Sequence, residues 1–440
     1  MTGEKYQKMY LEMVLNNQER YLDDYQKTVE RVANSTAIYK NKPVPFLYNP
    51  MFFSRMEEED LKWIGSMIME IGESVTDRFI QDQDFRKKFG FPDFIERMIL
   101  RENRYGVHVP VGRFDVFYKD RDNFKFCELN TDGSSAMNED NTIGDILLRS
   151  RALEDFGRKY DLRNPELIKS WVKESISIYG KWDETGKKPN VAIVDFKESG
   201  TSAEFQLFKE AYENQGFSCI IADPRDLEYR DGGLYHKDYR IDLIYRRIVT
   251  FELIEKYDQV EDFVEAYMDD AVCVVGTIRS QVIHNKIFFK ILHDQDTLDG
   301  LREDQREFVK RHIPFTGLFK GEEEVFQKVL KNKDRYIVKP LDMNASQGVY
   351  PGRDFDREKW ESILRDTFDR DYIYQEFVDP HKRDFVYYED GRFKAESLGS
   401  IVGIFMYNRH YRGLYTRLGK NNIISGVTEY YCAPNIIINT

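Results

Sequence analysis

Two pairs of polar side chains in neighbouring segments have the spacing of a shared binding face. Arg113 and Asp115 stand two positions apart in VGRFDVFY, and Glu128 and Asn130 stand two apart in NFKFCELN. Strand side chains alternate faces with period two, so a hairpin of these segments would gather two carboxylates, an amide oxygen and a guanidinium. Such oxygens suit magnesium, and the arginine would offset the charge of a transferred phosphoryl group. The spacing also fits a solvated hairpin face with a surface ion pair.

A lysine further along the chain has the setting of a phosphate contact. Lys339 ends the apolar strand YIV and precedes the loop DMNASQGV. A lysine at such a strand end can hold a phosphate as a point charge, with the loop amides covering it. An exposed lysine at a strand terminus is the alternative.

Three later features are weaker one by one. Gln375 and Glu376 lie inside the apolar segment DYIYQEFV, where buried polar groups need a partner, either a purine edge or a cross-strand side chain. Lys286 lies in the helical segment VIHNKIFFKIL, and Arg417 closes a late strand before a glycine-bearing loop.

Composition narrows the class of protein. The chain has 440 residues, about three domains at ~150 residues each, and a net charge of −12, which argues against a nucleic-acid binder. Apolar runs are far shorter than the ~20 residues that span a bilayer, so we expect no membrane partner. Four widely spaced cysteines without CxxC indicate reduced thiols in a cytoplasmic protein. The chain contains neither GxSxG nor a Walker-type loop, which disfavours the hydrolase and P-loop classes.

The N-terminal part reads as helical. Residues 2–38 have apolar positions at spacings of three and four, which predicts one long helix. We interpret it as a packing helix, with a weaker alternative in which it forms a homodimer contact. A second helical region is predicted at 56–103, so we place a helical module at 1–105. After the hairpin, helices are predicted at 144–160 and near 165–180.

The remaining chain divides into an α/β part and a mainly strand part. Short apolar segments at 191–196, 217–223, 241–247 and 271–275 alternate with helical segments, which predicts a small parallel α/β domain at 188–276. It lacks GxGxxG, so no dinucleotide is implied. The last part, 277–440, begins helical, and then strands are predicted at 335–340, 371–378, 385–390, 393–402 and 413–419.

Taken in order, these pieces resemble the circularly permuted ATP-grasp enzymes, and specifically the synthetase domain of the glutathionylspermidine synthase family. Eukaryotic glutathione synthetase is a more distant likeness. In that family an R-x-D and then an E-x-N precede the nucleotide lysines, as RFD and ELN do here. The resemblance covers roughly residues 106–430 and rests on these motifs: RFD (113–115), ELN (128–130), Asn285-Lys286, Lys339-Pro340, Gln375-Glu376 and Arg417.

The resemblance implies an ATP-grasp fold of the α+β and α/β class, with the nucleotide between two α+β subdomains. The metal-ligand hairpin would belong to 106–187. The stretch 188–276 would be the pre-ATP-grasp domain, and 277–440 would supply the nucleotide-binding subdomains. The helical module 1–105 carries no family motif that we can place.

The resemblance also implies a role for each matched residue. Asp115, Glu128 and Asn130 would ligate Mg²⁺, and Arg113 and Arg417 would steady the γ-phosphate and an acyl-phosphate. Lys286 and Lys339 would bind the α- and β-phosphates. The remaining ATP contacts would come from a loop and from the adenine hinge: Ser346, Gln347, Gly348, Gln375, Glu376, Phe377 and Val378.

The implied activity is that of an ATP- and magnesium-dependent carboxylate–amine ligase. ATP would phosphorylate a small-molecule or peptide carboxylate, and an amine would attack the acyl-phosphate to give an amide, ADP and phosphate. Residues 1–126 contain no cysteine, so the thiol amidase of the bifunctional enzymes is not expected. The alternatives are a non-catalytic nucleotide-binding regulatory or scaffold protein, and a phosphotransferase on the same fold. The sequence does not identify the acid or the amine.

Overall fold

The computed structural model describes residues 1–198, 202–343, 346–425 and 429–439. Helices make up most of the first hundred residues. The described residues form seventeen α-helices: α1 (Gly3–Leu15), α2 (Gln18–Ala33), α3 (Arg55–Gln81), α4 (Gln83–Arg86), α5 (Asp93–Leu100), α6 (Met137–Leu148), α7 (Arg151–Gly157), α8 (Ile168–Trp182), α9 (Ser202–Asn214), α10 (Thr250–Glu255), α11 (Glu261–Met268), α12 (Gln281–His284), α13 (Ile287–Leu292), α14 (Gln295–Gly300), α15 (Glu303–His312), α16 (Glu323–Lys331) and α17 (Arg357–Thr367).

The strands are mostly short, apart from four of the central sheet. The described residues form twenty-two: β1 (Ile38–Tyr39), β2 (Lys42–Pro43), β3 (Met51–Ser54), β4 (Val111–Tyr118), β5 (Phe124–Asn130), β6 (Asp161–Arg163), β7 (Val191–Val194), β8 (Cys219–Ala222), β9 (Glu228–Arg230), β10 (Gly233–His236), β11 (Tyr239–Ile241), β12 (Leu243–Arg246), β13 (Cys273–Val275), β14 (Thr316–Leu318), β15 (Tyr336–Pro340), β16 (Tyr350–Pro351), β17 (Tyr372–Glu376), β18 (Lys382–Glu389), β19 (Arg392–Tyr407), β20 (His410–Gly419), β21 (Tyr431–Ala433) and β22 (Asn435–Asn439).

The central antiparallel sheet joins distant parts of the chain. Its order is β21-β20-β19-β4-β5, and β18 also pairs with β19. The predicted hairpin is confirmed as β4 and β5, with Arg113 opposite Asn130 and Asp115 opposite Glu128. Strand β19 continues to Tyr407 and pairs with β4 as well as β20, so the hairpin is held by strands almost 300 positions away.

A smaller antiparallel sheet faces the central one. Its order is β14-β17-β15-β16, and Lys339 of β15 pairs with Ile373 of β17. Helices α16 and α17 pack with it around their own apolar core, in which Trp360 and Phe319 are fully buried. The strands predicted at 335–340 and 371–378 are confirmed here, while β14, α16 and α17 were not predicted.

The predicted parallel α/β unit is confirmed as a sheet of order β13-β12-β7-β8. Its strands consist mostly of apolar residues, with Arg246 at the end of β12 as the charged exception, which is why short apolar runs marked them in the sequence. An antiparallel meander of β9, β10 and β11 lies between β8 and β12 and was not predicted.

Three predicted helices are interrupted, and those predictions were wrong in extent. The helix expected at 144–160 is divided between α6, which begins earlier, and α7, whose first turn is capped by the Ser150 side chain. The single helix expected at 2–38 is α1 and α2, because Asn17 leaves helical geometry and its side chain bonds the Met13 carbonyl at 2.8 Å. Asparagine competes for backbone groups in this way, which favours helix ends over helix interiors. The helix expected in VIHNKIFFKIL breaks at Asn285, where Lys286 N donates to the Leu341 carbonyl instead.

The N-terminal segment predicted as helical also contains a strand. Strand β3 pairs in parallel with β22 at the other end of the described chain, and β22 pairs with β6. Helix α3 begins at a capping box formed by Ser54 and Glu57, which turns the chain directly out of β3. The domain boundaries at 105, 188 and 276 stay predictions. Among the described helices, none has both the length and the apolar composition needed to cross a membrane.

A buried ion pair fastens the loop after β5 to the parallel sheet. Asp132 accepts from Arg246 Nη2 at 2.6 Å and from Thr250 N at 2.6 Å, and both charged side chains are almost completely inaccessible to solvent. Removing one partner of such a pair leaves an uncompensated buried charge.

We predict that Asp132→Ala lowers the free energy of unfolding by about 3–5 kcal/mol because Arg246 would stay buried without its counter-ion. The control is Asp23→Ala, which removes an exposed ion pair with Lys27 and should leave stability nearly unchanged. Denaturant unfolding of the two variants measures both effects. If both variants changed the free energy of unfolding by the same small amount, the buried Arg246 charge would not require Asp132 as its counter-ion.

Candidate functional site

The predicted hairpin residues meet around one fully buried carboxylate. Asp115 accepts two bonds from Arg113, at 2.8 and 3.1 Å, and one from Arg417 Nη2 at 2.6 Å. Asn130 Nδ2 lies 3.1 Å from the same carboxylate and 3.3 Å from Glu128 Oε1. Because Arg417 comes from β20, Asp115 ties three strands together, and the solvated hairpin face considered for these residues is excluded.

A glycine that sequence reasoning missed makes this arrangement possible. Gly403 of β19 stands directly opposite Asp115. A Cβ atom at this position would lie 2.7 Å from Arg113 Cδ and 2.7 Å from Asp115 Oδ1. The pair of side chains therefore occupies the space that any other residue at position 403 would need.

Glu128 faces a set of positive charges. Burial alone would raise the pKa of its carboxyl, but Lys286, Arg417, Lys339 and Arg113 outweigh burial and lower the pKa to about 2. Burial lowers the pKa of Lys286, against the opposing effect of Glu128. Four cations thus surround the two carboxylates Asp115 and Glu128, which leaves an excess of positive charge that suits a polyanion.

Most of the predicted ATP residues line one narrow cleft of about 60 Å³ between the central and the smaller sheet. Phe117 and Glu128 face it from the central sheet. From the smaller sheet and the segments beside it come Lys286, Lys339, Ser346, Gln375, Glu376, Phe377 and Val378, and Arg417 of β20 faces the cleft from the central sheet. Gln347 and Gly348 lie in the same turn as Ser346 but line neither this cleft nor the larger cavity described below.

Three polar side chains of this cleft, Lys339, Gln375 and Lys286, already have protein partners. Lys339 Nζ lies 2.9 Å from Gln375 Oε1 and 3.4 Å from the Cys127 carbonyl. Gln375 Nε2 donates to Thr316 Oγ1 at 2.9 Å, so the cross-strand alternative holds for the Gln375 side chain. Lys286 Nζ donates to the Met343 carbonyl at 3.2 Å. Hence the lysine ammonium groups are held in place across the cleft before any ligand binds.

A second cavity of about 300 Å³ adjoins the cleft and shares Glu128, Ser346 and Arg417 with it. Its walls include several residues that sequence reasoning did not single out: Glu139, Asp195, Arg247, Glu252 and Tyr415. No local spacing marks these residues, because they come from five separate elements or loops.

Two carboxyls of this cavity differ from Glu128 in charge state. Burial raises the pKa of Glu139 to about 7, despite a hydrogen bond from Tyr415 that lowers it. Burial likewise raises the pKa of Asp195 to about 7, against the lowering effect of Arg247. The pKa values of Glu139 and Asp195 therefore lie well above that of Glu128, which lines the same cavity.

The loop between β5 and α6 forms part of the cavity wall and is itself tightly fixed. Gly133 has a φ of +64°, and a Cβ there would lie 2.7 Å from the Arg247 carbonyl. Ser134 Oγ donates to the Asn130 carbonyl at 2.6 Å. Only glycine combines this φ with so close an approach. The glycine therefore allows the loop after the ELN motif to pack directly against the backbone that follows β12 of the parallel sheet.

The donor set of the hairpin fits magnesium better than a thiolate- or imidazole-binding metal. Within the described ranges, no cluster of three or more His, Cys, Asp or Glu side chains has the geometry of a metal site. Among the described residues, the polar contacts of Glu128 with Asn130 and Arg417 both use Oε1. Sparse hard oxygens, completed by phosphate oxygens, are the ligands that magnesium takes. All four cysteines are free.

The cleft lies between two antiparallel sheets, and the same chain forms a parallel α/β unit. A glutathione synthetase-like effector from Globodera pallida, in its apo form, has the same fold with a TM-score of 0.59. The two chains share 12% sequence identity over 94% of this chain and 96% of the other.

A putative γ-glutamylcysteine synthetase from Methylobacillus flagellatus gives a TM-score of 0.42 and 8% identity, over 84% of this chain and 88% of the other. No protein-family model matches the sequence. The search of curated proteins likewise gives no significant match. The likeness therefore concerns the fold alone.

The low pKa of Glu128 predicts how its substitution acts at different pH. A carboxyl with a lowered pKa stabilises the folded chain above its ordinary value of 4.5, and this contribution disappears as the pH falls toward about 2. We predict that Glu128→Gln lowers the melting temperature at pH 7 and that the difference from wild type shrinks progressively below pH 4.5.

Thermal unfolding from pH 7 down to the acid limit of folding measures this. The matched control is Glu12→Gln, which changes an exposed glutamate on α1 whose side chain is 59% accessible. A difference between Glu128→Gln and wild type that stays constant with pH would contradict the electrostatic environment described here.

Proposed function

We propose that the protein is an ATP- and Mg²⁺-dependent carboxylate–amine ligase that forms an amide through an acyl-phosphate and releases ADP and phosphate. The observation that carries this proposal is the convergence of Arg113, Arg417, Lys286 and Lys339 on Glu128 in a cleft of the ATP-grasp type. These side chains come from distant segments, and a solvated surface would not hold them together.

Different residues of the cleft bind different parts of the nucleotide. Lys286 and Lys339 bind the α- and β-phosphates, and the segment Gln375–Val378 contacts the adenine. Ser346, with Gln347 and Gly348 in the same turn, covers the phosphates. Arg417 Nε is buried and has no hydrogen-bond partner among the described residues, which supports a phosphate oxygen as its partner.

A bound magnesium ion would offset the charge that moves with the phosphoryl group. Glu128 and Asn130 would hold it, with Asp115 behind them. Since Asp115 already accepts from two arginines, it also orients the guanidinium groups toward the transferred phosphoryl group. This arrangement would align the phosphoryl donor with its acceptor and offset the charge of the transferred group. Positioning and charge stabilisation are the main contributions of a protein to phosphoryl transfer.

The larger cavity takes the two substrates. Its opening onto the cleft at Glu128 and Arg417 supports transfer of the γ-phosphoryl group to a carboxylate lying there. Arg113 would steady the acyl-phosphate, and the amine would approach from the remaining volume. The acid is a small molecule or peptide, and the amine is a separate acceptor.

We further propose that the chain is a circularly permuted ATP-grasp enzyme similar to the synthetase domain of glutathionylspermidine synthase. The order of its motifs along the chain supports this, with RFD and ELN before Lys286 and Lys339. In this scheme 106–187 and 277–440 form the ATP-grasp part, 188–276 is the pre-ATP-grasp domain, and 1–105 is the helical module. A homodimer through the N-terminal helix and a cytoplasmic location remain predictions.

The first test asks whether nucleotide binds at Lys339. We predict that MgATP at 100 times its dissociation constant stabilises the wild type by about 2.7 kcal/mol and that Lys339→Ala loses this stabilisation. Thermal unfolding with and without MgATP measures it. Lys359→Ala, an exposed lysine on α17 of the same subdomain, is the control and should retain the full shift. No shift in the wild type would leave only the fold in common with nucleotide-binding enzymes.

The second test separates catalysis from binding. We predict that Glu128→Gln lowers ADP release at least about 10²–10³-fold, because a pre-organised charge contact is lost. In the absence of magnesium it should bind ATP as tightly as wild type or more tightly, because a negative charge beside the phosphates has been removed. Coupled ADP assays and calorimetry measure the two quantities. Near-normal turnover would contradict the proposed role of Glu128.

A stable phosphorylated product instead of an amide would indicate a phosphotransferase. Nucleotide binding without ADP release for any acid and amine would indicate the regulatory or scaffold protein. Product analysis by mass spectrometry distinguishes both from the ligase.

A further inference from the structure

Amide formation requires a step that the nucleotide site does not supply. An amine acceptor is an ammonium ion near neutral pH, and it must lose a proton before its nitrogen can attack an acyl-phosphate. A residue that takes this proton has to face the larger cavity, lie close to the arginines that hold the acyl-phosphate, and be ionised at working pH.

Five carboxyls line the larger cavity, and their partners separate them. Glu128 lies among the four cations and belongs to the nucleotide site. Asp132 is occupied by Arg246 and Thr250 N. Asp195 and Glu252 interact with each other near Arg247, on the side of the parallel sheet. Glu139 remains, and it is linked to Arg113 through the side chain of Tyr415.

This link runs through one tyrosine. Tyr415 donates from its hydroxyl to Glu139 Oε2 at 2.5 Å, and its ring lies under the Arg113 guanidinium, with 5.3 Å from the ring centroid to Cζ. Glu139 is the third residue of α6 and only 9% exposed. Its position on the helix and its burial in the cavity wall therefore restrict the movement of its carboxyl group. Its carboxyl therefore stands beside the position proposed for the reacting acyl group.

We propose that Glu139 is the general base that removes a proton from the acceptor ammonium, an inference that rests on the proposed ligase function. The ammonium gives one proton to the Glu139 carboxylate and becomes a neutral amine. The nitrogen lone pair then forms the C–N bond as the acyl C–O bond to phosphate breaks. The second proton lost by nitrogen leaves with the phosphate as HPO₄²⁻, and Glu139 returns its own proton to solvent.

The surroundings of Glu139 suit this exchange of protons. Burial raises its pKa to about 7, so the carboxyl can both accept and release a proton near neutral pH. The charged and titratable groups around it come from several elements and are Arg113 of β4, Tyr415 and Arg417 of β20, Glu204 of α9, and Tyr430 and Cys432 next to or in β21.

The test compares a charged with an uncharged acceptor. Wild type and Glu139→Gln, each with MgATP, are given the twenty amino acids, γ-glutamyl dipeptides and glutathione as acids. The acceptors are hydroxylamine, which is largely uncharged at neutral pH, and glycine or 1,4-diaminobutane, which are ammonium ions. We expect Glu139→Gln to lose about 10²–10⁴-fold in amide formation with the ammonium acceptors and less than about tenfold in hydroxamate formation.

The pH profile gives an independent readout. Amide formation by wild type should rise with pH through an apparent pKa near 7, because the base must be ionised, and hydroxamate formation should lack this limb. Tyr415→Phe removes a hydrogen bond that lowers the pKa of Glu139 and should move the limb to higher pH. Asp145→Asn, an exposed carboxyl on the same helix, is the matched control. The MgATP-induced thermal shift checks that each variant is folded.

Each outcome decides a different point. Equal losses with both acceptors in Glu139→Gln, or an unshifted limb in Tyr415→Phe, would overturn the role of Glu139 and leave the ligase function standing. Absence of ADP release from wild type with every probe acid would instead overturn the proposed ligase function, and the inference with it.

Discussion

The buried carboxylate of Asp115 is the constraint on which the site depends. It is completely inaccessible to solvent and accepts hydrogen bonds from Arg113, Arg417 and Asn130. An unpaired carboxylate at this depth would be strongly unfavourable, and so would either arginine without it. The electrostatic requirement of one side chain therefore fixes the relative position of β4, β5 and β20.

This constraint explains features that would otherwise be unrelated. Gly403 has to lack a side chain because the Arg113–Asp115 pair fills the space over β19. Arg417 is turned so that one nitrogen meets Asp115 while Nε has no protein partner among the described residues. The site is thus pre-organised with donors aimed at a ligand, which is the arrangement that stabilises developing charge without reorganisation.

Carboxyls of one cavity have different pKa values because their neighbours differ. Glu128 lies among four cations and has a pKa of about 2, whereas Glu139, with a tyrosine and a second glutamate nearby, has a pKa of about 7. Groups whose environments separate their pKa values in this way can perform separate tasks. One carboxyl suits a permanent role beside magnesium and phosphates, and the other suits proton exchange.

Local sequence patterns were enough to predict many of the secondary-structure elements and the residue types of the proposed nucleotide site. The hairpin β4–β5 was predictable because strand alternation and a polar turn are encoded within twenty residues, and so were the strands around Lys339 and Gln375 and the parallel α/β unit. The family resemblance predicted that these residues form one site, and their individual roles are proposals.

The contacts between residues that are distant in the sequence became visible in the folded structure and were not predictable from local patterns. Three such contacts are the pairing of β19 with β4, the pairing of β3 with β22 and the hydrogen bond between Tyr415 and Glu139. Each joins residues that are hundreds of positions apart, and such contacts leave no periodic pattern in the sequence. The breaks at Asn17 and Asn285 likewise follow from hydrogen bonds that compete with the helix. Burial then set the charge states, since the pKa of a carboxyl depends on its solvent exposure and neighbouring charges, which only the folded chain defines.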